Sequence, residues 1–317
     1  MYIGIDLGGT NIAVGIVDEN ANIVVKGSTP TYNERSYQEI VKDMANLANE
    51  LIKKAGISVD DIKGIGIGTP GSVDAKNGVV VYANNLKFND VPLRAELSKY
   101  FNVPIAVEND ANAAALGEYK ATGVKSECFV AVTLGTGVGG GIVIDGKIFR
   151  GFNGAGGELG HTSLVYDGIL CTCGRKGCWE AYAAVTALIR QTKVAIEKHP
   201  ESLMNEMVKK NNGEVSGRTA FDAAKQGDKA AQGVVNQYIK YVADGLTNVI
   251  NTFQPEILVI GGGISREGEY LVDPVREYCK KYSYTKGNLP ETKIQAASLL
   301  NDAGIIGAAF AVEELLA

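Results

Sequence analysis

A strand, glycine-turn, strand pattern that occurs twice is the feature that most constrains this chain. Residues 1–27 run YIGID, LGGTN, IAVGIVD, ENAN and IVVKG, and from Phe129 the order returns as FVAVT, LGTGVGG, GIVID, GK and IFRG. At one offset of 127 residues Leu7 falls on Leu134, Gly8 on Gly135 and Asp18 on Asp145. Two copies of a three-strand unit imply two related lobes. Between them, Tyr37 to Ala55 places Ile40, Val41, Met44, Leu47, Leu51 and Ile52 at helical spacing. IKGIGIG (62–68) reads as a short buried strand, Leu93 to Phe101 as a helix after Pro92, PIAV (104–107) as a strand, and DANAAALGEY as a strong helix former. Strand, crossover helix, strand predicts an α/β fold with partly parallel sheets. Further on, the pattern predicts a helix from about Trp179 to Lys198 and a polar surface excursion over 200–216. A long helix over Asp228 to Phe253, the strand EILVI and a last helix, Ala303 to Leu316, packing back on the first lobe complete the reading.

Composition narrows the partners. With 31 basic and 36 acidic side chains the net charge is −5, which gives no electrostatic reason to expect nucleic acid or an anionic membrane. A small molecule is expected instead. Asp6 lies where a secretory leader needs apolar residues, and stretches such as Ala303 to Val312 fall short of the roughly 18 residues of a membrane span, so a cytoplasmic protein is expected. Glycine is in excess, 39 of 317 residues, and is gathered in discrete clusters rather than spread as low complexity.

Those clusters carry the chemistry. In Asp6-Leu7-Gly8-Gly9-Thr10 the glycines leave backbone N–H groups open to phosphate oxygens, and Asp6 at the strand end is placed to hold Mg²⁺ through water. The alternative is a simple hairpin turn. The second turn, Thr133 to Gly140, has the same character at the repeat-related position, and the pair implies a nucleotide held between the lobes. Neither is a Walker loop or a dinucleotide fingerprint. Gly261-Gly262-Gly263 after EILVI leaves room for an adenine or a ribose, or else makes a tight strand-to-helix turn. Glu108-Asn109-Asp110 stands where a strand meets a helix; Asp110 is there either an N-cap or an ionised general base, and Asn109 suits sugar hydroxyls. His161 with Cys171, Cys173 and Cys178 supplies the four soft ligands of a closed, structural Zn²⁺ site, with three buried thiols as the alternative.

Taken together, DLGGT, GTPG (68–71), ENDANAAALGE (108–118), TLGTGVGGG (133–141), GGELGH (156–161), CTCGRKGCWE (171–180) and GGGIS (261–265) resemble the ROK family of sugar kinases and sugar-responsive repressors. The resemblance covers nearly the whole chain. It implies two actin-like, ribonuclease H-like lobes, each a mixed sheet flanked by helices, with the active site in the cleft. Residues 1–110 with about 301–317 would form the small lobe and 111–300 the large, zinc-carrying one. It implies ATP-dependent phosphorylation of a hexose, glucose first, with N-acetylmannosamine, fructose or another hexose as alternatives. Asp110 would be the base, and Gly71, Asn84, Asn109, Asp110, Glu158, His161 and Glu180 would contact the sugar. Asp6, Gly8, Gly9, Thr10, Asn11, Thr133, Gly135, Thr136, Gly137, Gly262 and Gly263 would hold ATP with Mg²⁺. His161, Cys171, Cys173 and Cys178 would hold zinc. A homodimer or homotetramer is implied too. In Asn84-Asn85-Leu86-Lys87-Phe88 the chain departs from the N-L-x-x-W of many glucose-phosphorylating relatives, which leaves the sugar open. The different-class alternatives are a repressor, which needs a DNA-binding module before DLGGT, and a sugar-binding regulator without catalysis.

Overall fold

The computed structural model of the chain describes residues 1–285 and 287–316, so that Ala317, the end of the range expected for the small lobe, lies outside the described residues. Its strands are β1 (Tyr2–Leu7), β2 (Asn11–Val17), β3 (Ile23–Pro30), β4 (Gly64–Thr69), β5 (Ser72–Asp74), β6 (Val79–Ala83), β7 (Phe88–Val91) and β8 (Ile105–Asn109). They continue as β9 (Cys128–Leu134), β10 (Val138–Ile144), β11 (Lys147–Ile148), β12 (Ile257–Gly261) and β13 (Lys293–Ala296). Two five-stranded sheets form, β3-β2-β1-β4-β8 and β11-β10-β9-β12-β13, and a small meander, β5-β6-β7, is inserted between β4 and β8 of the first. The two large sheets have one strand order: third, second, first, fourth, fifth. That is the structural counterpart of the repeat, and β2 and β10 coincide end to end at the 127-residue offset. Pairing is mixed, as expected, with β1–β2 antiparallel and β1–β4, β4–β8 and β12–β13 parallel.

Contacts divide the chain into two compact units, residues 1–131, 141–157 and 298–317 in the first and 132–140 and 158–297 in the second. The helix Asp110–Ala121 groups with the first unit. There, the helix Tyr37–Ala55 begins on a Ser36/Glu39 capping box, ends at Gly56 in the left-handed region, and buries Ile40, Val41, Met44 and Leu51. Strand alternation sends Ile3, Ile5, Ile65 and Ile67 into the core shared with that helix. The opposite face of β1 and β4 carries Gly4, Gly64, Gly66 and Gly68, and the helix Ala303–Ala311 lies on it backbone to backbone. A Cβ on Gly66 would fall 1.6 Å from Ala308 O, and one on Gly307 1.6 Å from Ala113 O in the helix Asp110–Ala121. The GIGIG alternation of β4 is thus one apolar face and one bare face.

Several expectations are corrected. The helix expected over Trp179 to Lys198 is two, Glu180–Ala183 and Val185–Lys198, because Ala184 is extended (ψ 157°) and the Val185 N–H bonds Gly135 O at 2.8 Å. The 200–216 excursion contains the helix Leu203–Lys210, capped by Ser202 and burying Met204. The helix after Pro92 stops at Leu97, and the last one breaks at Val312 before Glu313–Leu316. The third strand of the second repeat shrinks to Lys147–Ile148 as the chain leaves the sheet toward Arg150. No helix among the described residues is long and apolar enough to cross a membrane.

Backbone contact leaves no room for a methyl group, so Gly66→Ala is expected to lose about 3 kcal/mol in denaturant unfolding. Gly233, inside the helix Lys229–Phe253 with nothing within 4 Å of the point its Cβ would occupy, provides the contrast. Gly233→Ala is expected to be neutral or to stabilise by up to about 1 kcal/mol.

Candidate active site

In the first unit the site grows from the junction of β8 and the helix Asp110–Ala121. Asn109, with β-region backbone (φ −65°, ψ 145°), is the N-cap: its Oδ1 accepts the N–H of Ala111 at 2.9 Å and of Asn112 at 3.2 Å. Asp110 is therefore the first helical residue rather than the cap, although its Oδ1 also accepts the Ala111 N–H at 2.8 Å. Asn109 Nδ2 donates to Gly71 O at 3.1 Å. Gly71 has φ +96°, and a Cβ there would fall 2.1 Å from Tyr82 O, so this glycine packs against the end of β6 where Asn84 follows. The first glycine turn is closed by Gly8 N–H to Asn11 O at 2.9 Å and braced by the buried Thr31, whose Oγ1 donates to Gly8 O at 2.7 Å. Gly9 packs on Asn85, and Thr10 and Asn11 are exposed. The structure thus gathers Asp6, Gly8, Gly9, Gly71, Asn84, Asn109 and Asp110 within one unit.

Asp6 and Asp110 are the carboxylates of this group. Alternation along β1 turns Asp6 to the bare face with Gly4, and a Cβ on Gly304 in the helix Ala303–Ala311 would sit 2.8 Å from its Oδ2. Burial, and secondarily the charge of Asp110, pushes the Asp6 carboxyl up to about 6. Asp110 is exposed, yet desolvation by the protein around it raises its carboxyl above the ordinary range, against the opposing hydrogen bonds of the helix start. A carboxylate held higher than usual and close to a second acid is suited to accept a proton near neutral pH.

The second unit assembles the remaining candidates. The second turn is closed by Gly135 N–H to Gly137 O at 3.0 Å and held from below by Val185 N–H and by Thr186 Oγ1, which donates to Thr136 O at 2.9 Å. Gly262 (φ +82°) packs on the end of β9, since a Cβ there would lie 2.2 Å from Leu134 O, while Gly263 is open. Glu180 links two features: its Oε2 accepts the Val138 N–H at 3.0 Å, and its Oε1 accepts from Thr172 Oγ1 at 3.3 Å and Cys171 Sγ at 3.5 Å. Glu158 is exposed at the start of the short turn that carries His161.

His161, Cys171, Cys173 and Cys178 bring their donor atoms within 4.8 Å of one another, with Cys171 Sγ 3.7 Å from His161 Nδ1 and Cys173 Sγ 3.6 Å from Cys178 Sγ. A tetrahedral ion with metal–sulfur bonds near 2.3 Å needs sulfur separations of about 3.8 Å, so the four fit a metal ion. Burial pushes the Cys178 thiol up to about 12, a penalty on the thiolate that a bound dication would reverse.

The ROK family model matches residues 2–314. The chain belongs to the ROK family. It is 38% identical to a glucokinase of Thermotoga maritima, over 98% of this chain and 97% of that one. It is 31% identical to a xylose repressor of Caldicellulosiruptor bescii, over 96% of this chain and 76% of that protein. A ROK family glucokinase from Streptomyces griseus, solved in complex with glucose and AMPPNP, superposes with a TM-score of 0.82 at 35% identity, covering 99% of each chain. The α/β architecture of this ROK chain is accordingly the two-lobed, actin-like one.

Sequence reasoning leaves Glu108 without a role and passes over Arg150, Thr31 and Glu118. Glu118, buried in the helix Asp110–Ala121, accepts Ser298 N–H and Oγ–H, each at 3.0 Å, and Leu299 N–H at 2.9 Å, and so ties that helix to the chain entering Ala303–Ala311. Their positions beside strand and helix ends are visible in the sequence; their partners, far away along the chain, are not.

Because the folded state holds the Asp6 carboxyl near 6 rather than 3.8, ionising it opposes folding, and stability falls as pH rises through that window. In ligand-free protein Asp6→Asn is expected to be more stable than the unaltered chain by about 2 kcal/mol at pH 7.5, with the difference gone at pH 4. Denaturant unfolding at the two pH values measures it.

Proposed function

We propose that this ROK chain is a sugar kinase that transfers the γ-phosphoryl group of ATP to glucose, at the C6 hydroxyl. The observation that carries the reading is the capping of the helix by Asn109, which makes Asp110 the first helical residue, its carboxylate open to solvent yet held above the ordinary carboxylate range by desolvation from the protein around it. Full-length similarity to glucokinases supports the substrate. In this reaction Asp110 accepts the hydroxyl proton as the sugar oxygen bonds to phosphorus, and ADP leaves with the electrons of the broken bond. Gly71, Asn84, Asn109, Glu158, His161 and Glu180 would orient the sugar's other hydroxyls. The backbone of Gly8 to Asn11 and Thr133 to Gly137 would receive the phosphates, with Gly262 and Gly263 beside the nucleoside. Asp6 would hold Mg²⁺, which when bound neutralises charge on the transferring phosphoryl group. Zn²⁺ on His161, Cys171, Cys173 and Cys178 would be structural, because four protein ligands complete its tetrahedron.

Asp110→Asn is expected to lower kcat by about 10³-fold with glucose affinity little changed, read by coupled ADP release and by glucose titration. Turnover in that variant within tenfold of the unaltered chain removes Asp110 from the base role. Run across hexoses and N-acetylhexosamines, the same assay identifies the sugar. Sugar binding without any ADP release would assign the chain to the regulatory branch of its family.

Purified protein is expected to carry about one zinc per chain by elemental analysis, and Cys178→Ala to lose it together with several degrees of thermal midpoint. Fully folded protein without metal would contradict the assignment.

A further inference from the structure

The residue just before Asn109 and Asp110 has no part in the reaction above, yet Glu108 is only 2% exposed. Its Oε1 accepts the Asn109 N–H and Asn112 Nδ2, each at 2.9 Å, and its Oε2 accepts Arg150 Nε at 2.6 Å. Arg150 Nη1 donates to Glu314 Oε2 at 2.7 Å, and Arg150 O accepts the Gly156 N–H at 2.9 Å, closing the loop 150–156. A carboxylate removed from water is tolerated when it is paired and its lone pairs are used; here Arg150, 42 residues away, pairs it, and Asn109 and Asn112 beside it use its other oxygen. Asn109 is consequently held at three points: its N–H by Glu108, its Nδ2 by Gly71 O, and its Oδ1 by the N–H groups it caps.

We propose that Glu108 and Arg150 are a positioning pair that fixes the Asn109–Asp110 turn and thereby the direction of the Asp110 carboxylate. The proposal rests on the reading of Asp110 as the base. Neither residue of the pair touches the sugar. Misplacing a catalytic group by about 1 Å lowers turnover by about 10²-fold, whereas of the proposed sugar contacts Asn109 alone is bonded to the pair and those of Glu158, His161 and Glu180 survive. The loss should therefore fall chiefly on kcat, with KM changed only slightly.

The test is steady-state kinetics with glucose, normalised to folded protein by circular dichroism. Arg150→Met is expected to lower kcat by about 30- to 100-fold with the glucose KM within about threefold. Adding Glu108→Gln should restore at least fivefold of that loss, because glutamine keeps the carbonyl acceptor for the Asn109 N–H and removes the unpaired charge. Where the Met variant does not fold, Arg150→Lys carries the test, with kcat lowered about fivefold at unchanged KM, since an ammonium replaces the fork only in part. A kcat within twofold of the unaltered chain in the folded Met or Lys variant, a loss confined to KM, or a double variant no better than the single one overturns the proposal. An unaltered chain inactive on every sugar overturns the kinase reading and this proposal together. An active unaltered chain beside an equally active Arg150 variant overturns the proposal alone.

Discussion

The first unit depends on backbone packed against backbone. The helix Ala303–Ala311 reaches β1, β4 and the helix Asp110–Ala121 without intervening side chains, because Gly4, Gly66, Gly117 and Gly307 stand at the crossings. Close packing of this kind resists adjustment, since the atoms in contact are carbonyls and amides rather than the ends of flexible side chains. Asp6 on β1, half-buried, and Asp110 on the helix, exposed at its start, are therefore held at one separation. Desolvation by the surrounding protein raises both pKa values more than any specific partner does. The protein thus gives up stability at neutral pH where it places two carboxylates, a familiar trade between a strained site and a robust fold.

Capping decides what Asp110 can do. A helix start needs an acceptor for its first N–H groups, and aspartate fills that place as well as asparagine does. Here Asn109 takes it, one residue upstream, and Glu108 and Gly71 secure Asn109 in turn. Three successive residues at the end of one strand have separate duties: anchor, cap and acid. Exchanging the asparagine with either neighbour would leave Arg150 Nε without its carboxylate or set an acid in the cap.

Much of this was legible in the sequence because it is local. The repeat announced itself through strand and turn chemistry, and the spacing of Ile40 to Ile52 marks the helix Tyr37–Ala55 without reference to the rest of the chain. The donors His161, Cys171, Cys173 and Cys178 are close together in sequence, and the structure brings them close in space. What was not legible is set at long range. Nothing around Ala184 forbids a continuous helix; the break serves the bond from Val185 N–H to Gly135 O, some fifty residues away. The helix Leu203–Lys210 looked like polar surface because a single residue, Met204, anchors it by full burial, while Asp228 both caps the helix Lys229–Phe253 and accepts the Leu203 N–H at 2.7 Å. The alternation of glycine in β4 acquires its meaning only from a helix more than two hundred residues later.

The repeat also explains why its two turns are not interchangeable. At the 127-residue offset Asp6 corresponds to Thr133, Gly9 to Thr136 and Asn11 to Val138. Where the first copy ends its central strand on a carboxylate, the second ends on a hydroxyl, and the acid near the second turn is Glu180, delivered from another element to the Val138 N–H. A carboxylate at both strand ends would place a further negative charge beside the second glycine turn, and like charges at close range oppose both anion binding and each other's ionisation. On the proposed reading, the first copy would serve the metal ion and the second the bare phosphate oxygens. Glu180 also contacts Thr172 and Cys171, so the order of the cysteine knuckle is transmitted through one carboxylate to the second turn. On the proposed reading, a zinc ion held by the four donors would have no open position of its own and would act on the second turn only by fixing Glu180.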